Sequence, residues 1–278
     1  MSENNDRSEI FGQNPSMPTR NVMKDDFGFE VPVEVVPIPS GGVTYDIESP
    51  LHGLKTVEIT AMTAKDEDIL TSRALIKKGT VITHLLQSCL VNKTINPQDM
   101  LSGDRNAVMV ALRVTGYGPE YKVEVDCPEC GERSKQGFDL TDLPIKELKI
   151  NPVAQGANVF EFTLPVTKFP IRFKFLTGRD EQEMMITAER KKKKGFTNDN
   201  MVTSRLSASL IEVNGIKEKV KIDKFISNMP ARDSLALRNY LDENEPGIDM
   251  TSWMDCPHCS ETSEVSLPLG ATFFWPDS

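Results

Sequence analysis

Histidine is scarce in this 278-residue chain: His52, His84 and His258 are the three present. None stands in the His-Glu-X-X-His spacing that holds a hydrolytic zinc. The sequence also lacks a Gly-X-Ser-X-Gly elbow, a Walker loop and a dinucleotide fingerprint, so the common signatures of hydrolase, nucleotide and hydride chemistry are missing. No apolar run reaches the roughly 18 residues needed to span a bilayer, which argues against membrane insertion. An excess of positive charge is missing too. The formal net charge is -9, whereas sequence-independent nucleic-acid affinity is built on Lys and Arg neutralising phosphates. The start of the chain has neither the basic residues nor the apolar stretch of a secretion signal, and from this we expect a reducing cytosol.

In such a compartment, paired cysteines indicate metal or redox chemistry. The chain has five cysteines. Four fall in two copies of one motif, Cys127-Pro128-Glu129-Cys130 and Cys256-Pro257-His258-Cys259. Each motif puts two thiolates on a tight turn, and two such turns supply the four soft ligands of a tetrahedral structural zinc. Gly131 follows the first turn as a zinc ribbon requires. Roughly 125 residues separate the pairs, so the fold has to bring them together. One structural Zn²⁺ on Cys127, Cys130, Cys256 and Cys259 is the leading expectation, with an iron–sulfur centre or unliganded redox thiols as the alternatives. Four thiolates complete the coordination shell, which leaves His258 exposed and leaves no open position for catalysis. Cys89, within Leu85-Leu86-Gln87-Ser88-Cys89-Leu90, reads as a small buried hydrophobe.

The motifs also end two similar stretches of chain. Residues 57–70 align without gaps to residues 171–184: an alternating strand pattern runs into Thr63 or Thr177, then a basic residue, then Asp66-Glu67 or Asp180-Glu181. Thr63 and Thr177 suit N-caps, and acids in a first helical turn favour the helix dipole. Residues 85–90 then match 206–211, Met100-Leu101 with Val110-Ala111-Leu112-Arg113 matches Phe225-Ile226 with Leu235-Ala236-Leu237-Arg238, and a strand enters each cysteine turn. Ordered self-similarity of this kind is the mark of duplication. The expected fold is α+β: a tandem duplication of a strand–helices–strand–zinc-knuckle unit, with three helices per unit and the two knuckles forming one zinc-ribbon-like site.

The boundaries expected are a flexible N-terminal arm over 1–26, a first repeat with its connector over 27–150, and a second repeat with a C-terminal tail over 151–278. The stretch from Val31 to Tyr45, with its prolines and a turn on Gly41-Gly42, reads as an extended edge segment. Residues 192–200 look like an insertion. The basic cluster at 190–194 follows an acidic helical segment and reads as a solvated helix C-terminus.

The run Pro37-Ile38-Pro39-Ser40-Gly41-Gly42-Val43-Thr44-Tyr45, residues 57–70, Leu101-Ser102-Gly103-Asp104-Arg105, Arg113-Val114-Thr115-Gly116-Tyr117-Gly118 and Cys127-Pro128-Glu129-Cys130-Gly131 together resemble the T-even-type baseplate protein family of contractile-tailed bacteriophages. The resemblance covers about residues 31–150, and the second half through the internal repeat. It implies a baseplate hub subunit or hub-assembly protein with no catalytic residues, no small-molecule substrate, and other phage baseplate and tail proteins as partners. It further implies a place in the virion tail baseplate and in the host cytoplasm during assembly. Under it, the turns at residues 102–105 and 116–119 are candidate contact surfaces, and Phe27, Phe29, Phe273, Phe274 and Trp275 are expected to be partly exposed until assembly covers them. A non-virion assembly chaperone is one alternative. A nucleic-acid-binding zinc-ribbon regulator using residues 190–194 is another, and it requires a basic face around the knuckles.

Overall fold

The structure is a computed structural model that describes residues 20–24, 30–193 and 200–274. Its elements run β1 (Arg20–Lys24), β2 (Glu30–Pro37), β3 (Thr56–Thr60), α1 (Ala64–Thr71), α2 (Arg73–Lys78), α3 (Val81–Cys89), α4 (Ser102–Tyr117), β4 (Glu120–Asp126) and β5 (Arg133–Asp139) in the first half. The short strand β6 (Ile145–Lys146) follows in the connector. The second half has β7 (Phe160–Thr163), β8 (Pro170–Phe173), α5 (Gly178–Lys193), α6 (Met201–Ser209), β9 (Leu210–Val213), α7 (Lys219–Asn228), α8 (Ala231–Asn244), β10 (Gly247–Ile248), β11 (Thr251–Asp255) and β12 (Thr262–Ser266). Helix and strand are thus mixed, and among the described residues each half carries four α-helices rather than the three expected.

The sheets are small and antiparallel: β1-β2-β3, β7-β8-β9, and the pairs β4-β5, β11-β12 and β6-β10. Their strands alternate as half-buried strands do. In β3, Val57 and Ile59 point inward while Glu58 and Thr60 are partly exposed. The expectation of an edge segment at 31–37 is corrected, because β2 is the middle strand of its sheet. Proline lacks the N–H that a ladder needs. Pro32 is tolerated beside the register shift between Asn21 and Met23, and Pro37 stands at the strand's end. Residues 20–24 of the expected arm are paired to β2, and residues 1–19 lie outside the described residues.

Helix starts follow the chemistry read from the sequence. The Thr63 N–H and Oγ1–H both donate to Asp66 Oδ2, at 2.8 and 2.7 Å, and Thr177 does the same to Asp180 at 3.0 and 2.8 Å. These reciprocal caps fix where α1 and α5 begin. Both α3 and α6 end alike: Leu90 donates to the Leu86 carbonyl and Leu210 to the Leu206 carbonyl, and all four side chains are buried. Leu90 then bridges Ile59 of β3, as Leu210 pairs with Phe173 of β8. The cap contacts therefore lay Leu86 on Leu206, one residue away from the sequence match of 85–90 to 206–211.

Two further acids, both buried, are held by distant partners. Asp104, in the first turn of α4, accepts from the Ser40 N–H at 2.9 Å, Ser40 Oγ–H at 2.6 Å and Tyr45 Oη–H at 2.5 Å. Asp233, in the first turn of α8, accepts from the N–H groups of Val166 and Thr167 at 2.6 and 3.1 Å. Each carboxylate ties a helix start to a loop between two paired strands of its half, the β2–β3 loop for Asp104 and the β7–β8 loop for Asp233. Laying Asp104 on Asp233 also lays Met100 on Met229 and Cys127 on Cys256, with no gap from residue 100 to residue 140. The sequence match of Val110–Arg113 to Leu235–Arg238 is thus slipped by one helical turn, because Ala-Leu-Arg repeats on a helix face without marking its register.

Burial pushes the Asp104 carboxyl up from its ordinary value, against the opposing effect of the Ser40 and Tyr45 donors. Asp104→Ala strands three donors and should destabilise the chain by about 3–4 kcal/mol, while Asp233→Ala strands two and should cost about 2–3 kcal/mol. Urea unfolding of the two variants measures both.

Residues 102–105 do not form the exposed turn expected. Ser102, Asp104 and Arg105 are buried at the start of α4, and residues 116 and 117 are its last turn. The halves share one apolar core running from Val36 to Phe274. Leu101 bridges Thr177, the Ser102 N–H donates to the Leu176 carbonyl at 2.8 Å, and β6 of the connector pairs with β10. Phe273 and Phe274 are fully buried, contrary to the expectation for terminal aromatics, and on these two residues the outcome is that of a self-contained core. The cause is Arg113: its Nε donates to the Phe273 carbonyl at 3.2 Å, and its remaining nitrogens donate to Gly118 and Glu120 carbonyls at 2.8 and 2.9 Å. Tyr121 packs edge-on against the Phe273 ring at 4.9 Å. Phe27, Phe29 and Trp275 lie outside the described residues.

Candidate metal centre

Two hairpins carry the four cysteines. In β4–β5 the ladder runs from Glu120 opposite Asp139 to Asp126 opposite Arg133, and the turn beyond it holds Cys127 and Cys130. In β11–β12 it runs from Thr251 opposite Ser266 to Asp255 opposite Thr262, and the turn holds Cys256 and Cys259. Val125 and Met254, one residue before the last rung, both face the core. That inward pair anchors each hairpin and fixes the direction in which its turn projects.

The two turns are built alike. Cys127 N–H donates to the Glu132 carbonyl and Cys256 N–H to the Glu261 carbonyl, each at 3.0 Å. Gly131 N–H returns to the Cys127 carbonyl at 2.8 Å, and Ser260 N–H to the Cys256 carbonyl at 2.9 Å. This closure needs a left-handed residue. Gly131 has φ 76° and Ser260 has φ 61°, so glycine takes the position in the first knuckle and a serine is held there in the second.

The sulfurs converge from both hairpins. Cys127 Sγ lies 3.8 Å from Cys259 Sγ and Cys130 Sγ lies 3.7 Å from Cys256 Sγ, with all four within 4.8 Å of one another. At the usual zinc–sulfur distance of about 2.3 Å, the corners of a tetrahedron are about 3.8 Å apart. These spacings are too long for disulfides, and the four cysteines are free. Four cysteine sulfurs this close together could hold one metal ion. Cys127 and Cys256 are buried while Cys130 is exposed and Cys259 intermediate, so the centre sits at the surface end of the two hairpins.

Backbone donors favour negative charge on one of the sulfurs: the N–H groups of Cys259 and His258 aim at Cys256 and bring its thiol down to about 6. Glu261 N–H points at Cys259 and Glu132 N–H at Cys130, but burial and the neighbouring sulfurs outweigh them, pushing Cys259 up to about 12 and Cys130 up from its ordinary value. The His258 side chain is exposed, and it contributes through its backbone. Cys89 is buried on α3 away from the knuckles, and burial pushes its thiol up to about 12. Such a thiol is a packing element, not a nucleophile.

The surface around the knuckles is acidic. Glu124, Asp126, Glu129, Glu132, Asp255, Glu261 and Glu264 are all exposed there, against Arg133 and Lys135, and Arg133 is already paired with Asp126 at 2.7 Å. The basic run at residues 190–193 lies exposed on the last turn of α5, and Lys194 falls outside the described residues. No helix among the described residues is long and apolar enough to cross a membrane.

A family model described as T4 bacteriophage base plate protein matches residues 42–275. No curated protein matches the chain, and no solved structure matches it. The match takes in both knuckles and most of the sequence, and the chain belongs to this T4-type baseplate protein family.

Proposed function

We propose that this baseplate-family chain is a structural subunit of the phage tail baseplate hub, binding other tail proteins during baseplate assembly in the host cytoplasm and remaining in the virion. The family match over residues 42–275 carries this reading. The chemistry of the chain is in keeping with it. Its clustered reactive side chains are four cysteine thiols whose sulfurs lie within 4.8 Å of one another. Its buried acids Asp66, Asp104 and Asp233 are consumed in capping a helix and in tying helices to loops.

We propose further that Cys127, Cys130, Cys256 and Cys259 bind a single structural Zn²⁺, and that the chain is a tandem duplication whose units, 27–150 and 151–278, are joined by that ion. Four correspondences support duplication: the Thr–Asp caps, the Asp104 and Asp233 ties, the gap-free alignment from residue 100 to residue 140, and the identical knuckle closures. The shared core and the β6–β10 pairing are in keeping with units of descent that fold together as one body. Zinc would hold the hairpin tips in register and supply no chemistry beyond that.

An acidic knuckle face favours a protein-binding scaffold over a nucleic-acid regulator, whose phosphate contacts need the opposite sign. Mass spectrometry of purified virions and of baseplate intermediates tests the assignment. The chain should be present in both. Presence in intermediates alone would make it an assembly chaperone, and absence from both would refute the baseplate role.

A further inference from the structure

The end of α5 stands off the rest of the chain. Residues 187–193 are all exposed, so the helix there is open on every side. A helical stretch polar all round either bridges to another body or is held by ion pairs along its own surface. The pair present here, Lys193 with Glu189, spans 4.0 Å and is worth little. Arg190, Lys191 and Lys192 are left facing solvent.

The outer face of β11–β12 is uncovered as well. Met254 and Val265 point into the core, while the alternate positions Trp253, Asp255, Thr262, Glu264 and Ser266 are exposed. Trp253 is 67% exposed, the most exposed aromatic among the described residues. Tryptophan is highly buried on average and enriched in protein interfaces, so a bare one suits a surface that another chain covers. Two carboxylates share its face: Glu264 stands directly opposite Trp253 in the ladder, and Asp255 follows two residues along the same strand. An indole face attracts a guanidinium or ammonium, and carboxylates beside it add charge-assisted hydrogen bonds to the same cation. On the neighbouring strand β5, Gln136 reaches the Asp255 carbonyl at 3.3 Å. The cations of β5 are Arg133, already paired with Asp126 at 2.7 Å, and Lys135, against exposed Glu129, Glu132 and Glu261 in the turns.

We propose that a second copy of this chain seats the end of its α5, Arg190 to Lys193, on the outer face of β11–β12, one cation over the Trp253 ring and its neighbours on Asp255 and Glu264. Charge complementarity selects this occupant. The chain carries a net charge of -9, and residues 190–194 are its longest run of consecutive cations. Because the two surfaces differ, the contact is heterologous, and each copy keeps an unused surface for a third. The contact does not rest on the baseplate reading, since it forms between copies of the purified chain alone.

Sedimentation velocity of the full chain tests it. Concentration-dependent dimers and longer assemblies are expected at about 50 mM salt, at least about tenfold weaker at about 500 mM, because exposed ion pairs are screened there. Trp253→Ala should weaken association by about thirtyfold, as truncation of a central interface aromatic does. The double change Lys191→Glu with Lys192→Glu should weaken it at least as much. All three positions are exposed, so both variants should keep the thermal midpoint of the unmutated chain. Mixing the two variants is the decisive arm: each supplies the surface the other lacks, and 1:1 dimers should return. A chain that stays monomeric at about 200 μM and low salt, where even a weak contact of this kind should register, would overturn the proposal whatever the variants do. So would association indifferent to both variants, a mixture that remains monomeric, or capture of a DNA duplex by residues 190–193 in a chain that does not self-associate.

Discussion

Stripping the metal from the folded chain, or replacing any one of Cys127, Cys130, Cys256 and Cys259 with serine, should lower the thermal midpoint by roughly 10–15 °C. The size follows from two considerations. A structural zinc contributes folding free energy outright, on the order of 10 kcal/mol in peptides that have no other core. Here the apolar core spans both halves and survives metal loss, so only the hairpin tips are released. About 4 kcal/mol of that contribution should register, and in a chain of this size each kcal/mol moves the midpoint by about 2–4 °C. Hydrogen exchange should rise first in β4–β5 and β11–β12, whose ladders end at the cysteine turns. His258→Ala should leave the midpoint within about 1 °C, because its exposed imidazole is not needed to complete four sulfur ligands. A chelator that removes metal and leaves the midpoint unchanged would show that the ion does not hold the hairpins.

Gly103→Ala should destabilise the chain by at least about 3 kcal/mol, although it swaps one small helical residue for the best helix former. A Cβ on Gly103 would lie 1.7 Å from the Pro246 carbonyl oxygen and 2.9 Å from Gly247 Cα. Both are backbone atoms of the segment leading into β10, so no side chain can turn away to make room. The substitution has to push α4 off β10, and overpacking of a close seam carries a penalty of this size. Gly137→Ala is the control. Its Cβ meets nothing nearer than the Glu120 carboxylate at 3.8 Å, so it should be neutral or slightly stabilising within β5. Guanidinium unfolding of the two variants decides the matter, and equal midpoints would mean that the α4–β10 seam is not under close contact.

The parts of this molecule legible in its sequence were those specified locally. Thr63 and Thr177 announce helix starts because a cap is a property of four consecutive residues, and the structure places both as read. The cysteine turns were equally plain, since a Cys-Pro-X-Cys turn encodes its own reversal, and the sulfurs do converge. What escaped was set by distant partners. Asp104 looks like any acid in a first turn until Ser40 and Tyr45 are seen donating to it from the β2–β3 loop. Its counterpart signal was available, because aligning outward from the cysteines instead of from the Ala-Leu-Arg match puts Asp104 on Asp233 at once. Phe273 and Phe274 depart from expectation for a related reason. An aromatic near a terminus suggests docking only while the internal site that receives it, here Arg113 and Tyr121, is unknown.

The claim that one zinc joins the two halves is tested most directly by X-ray absorption at the zinc edge on the purified full-length chain, with metal content measured on the same sample. The account predicts about one zinc per chain and a first shell of four sulfurs at about 2.3 Å, with no nitrogen or oxygen neighbour. Iron in place of zinc, a shell containing histidine nitrogen, or two half-occupied sites with two sulfurs each would contradict it.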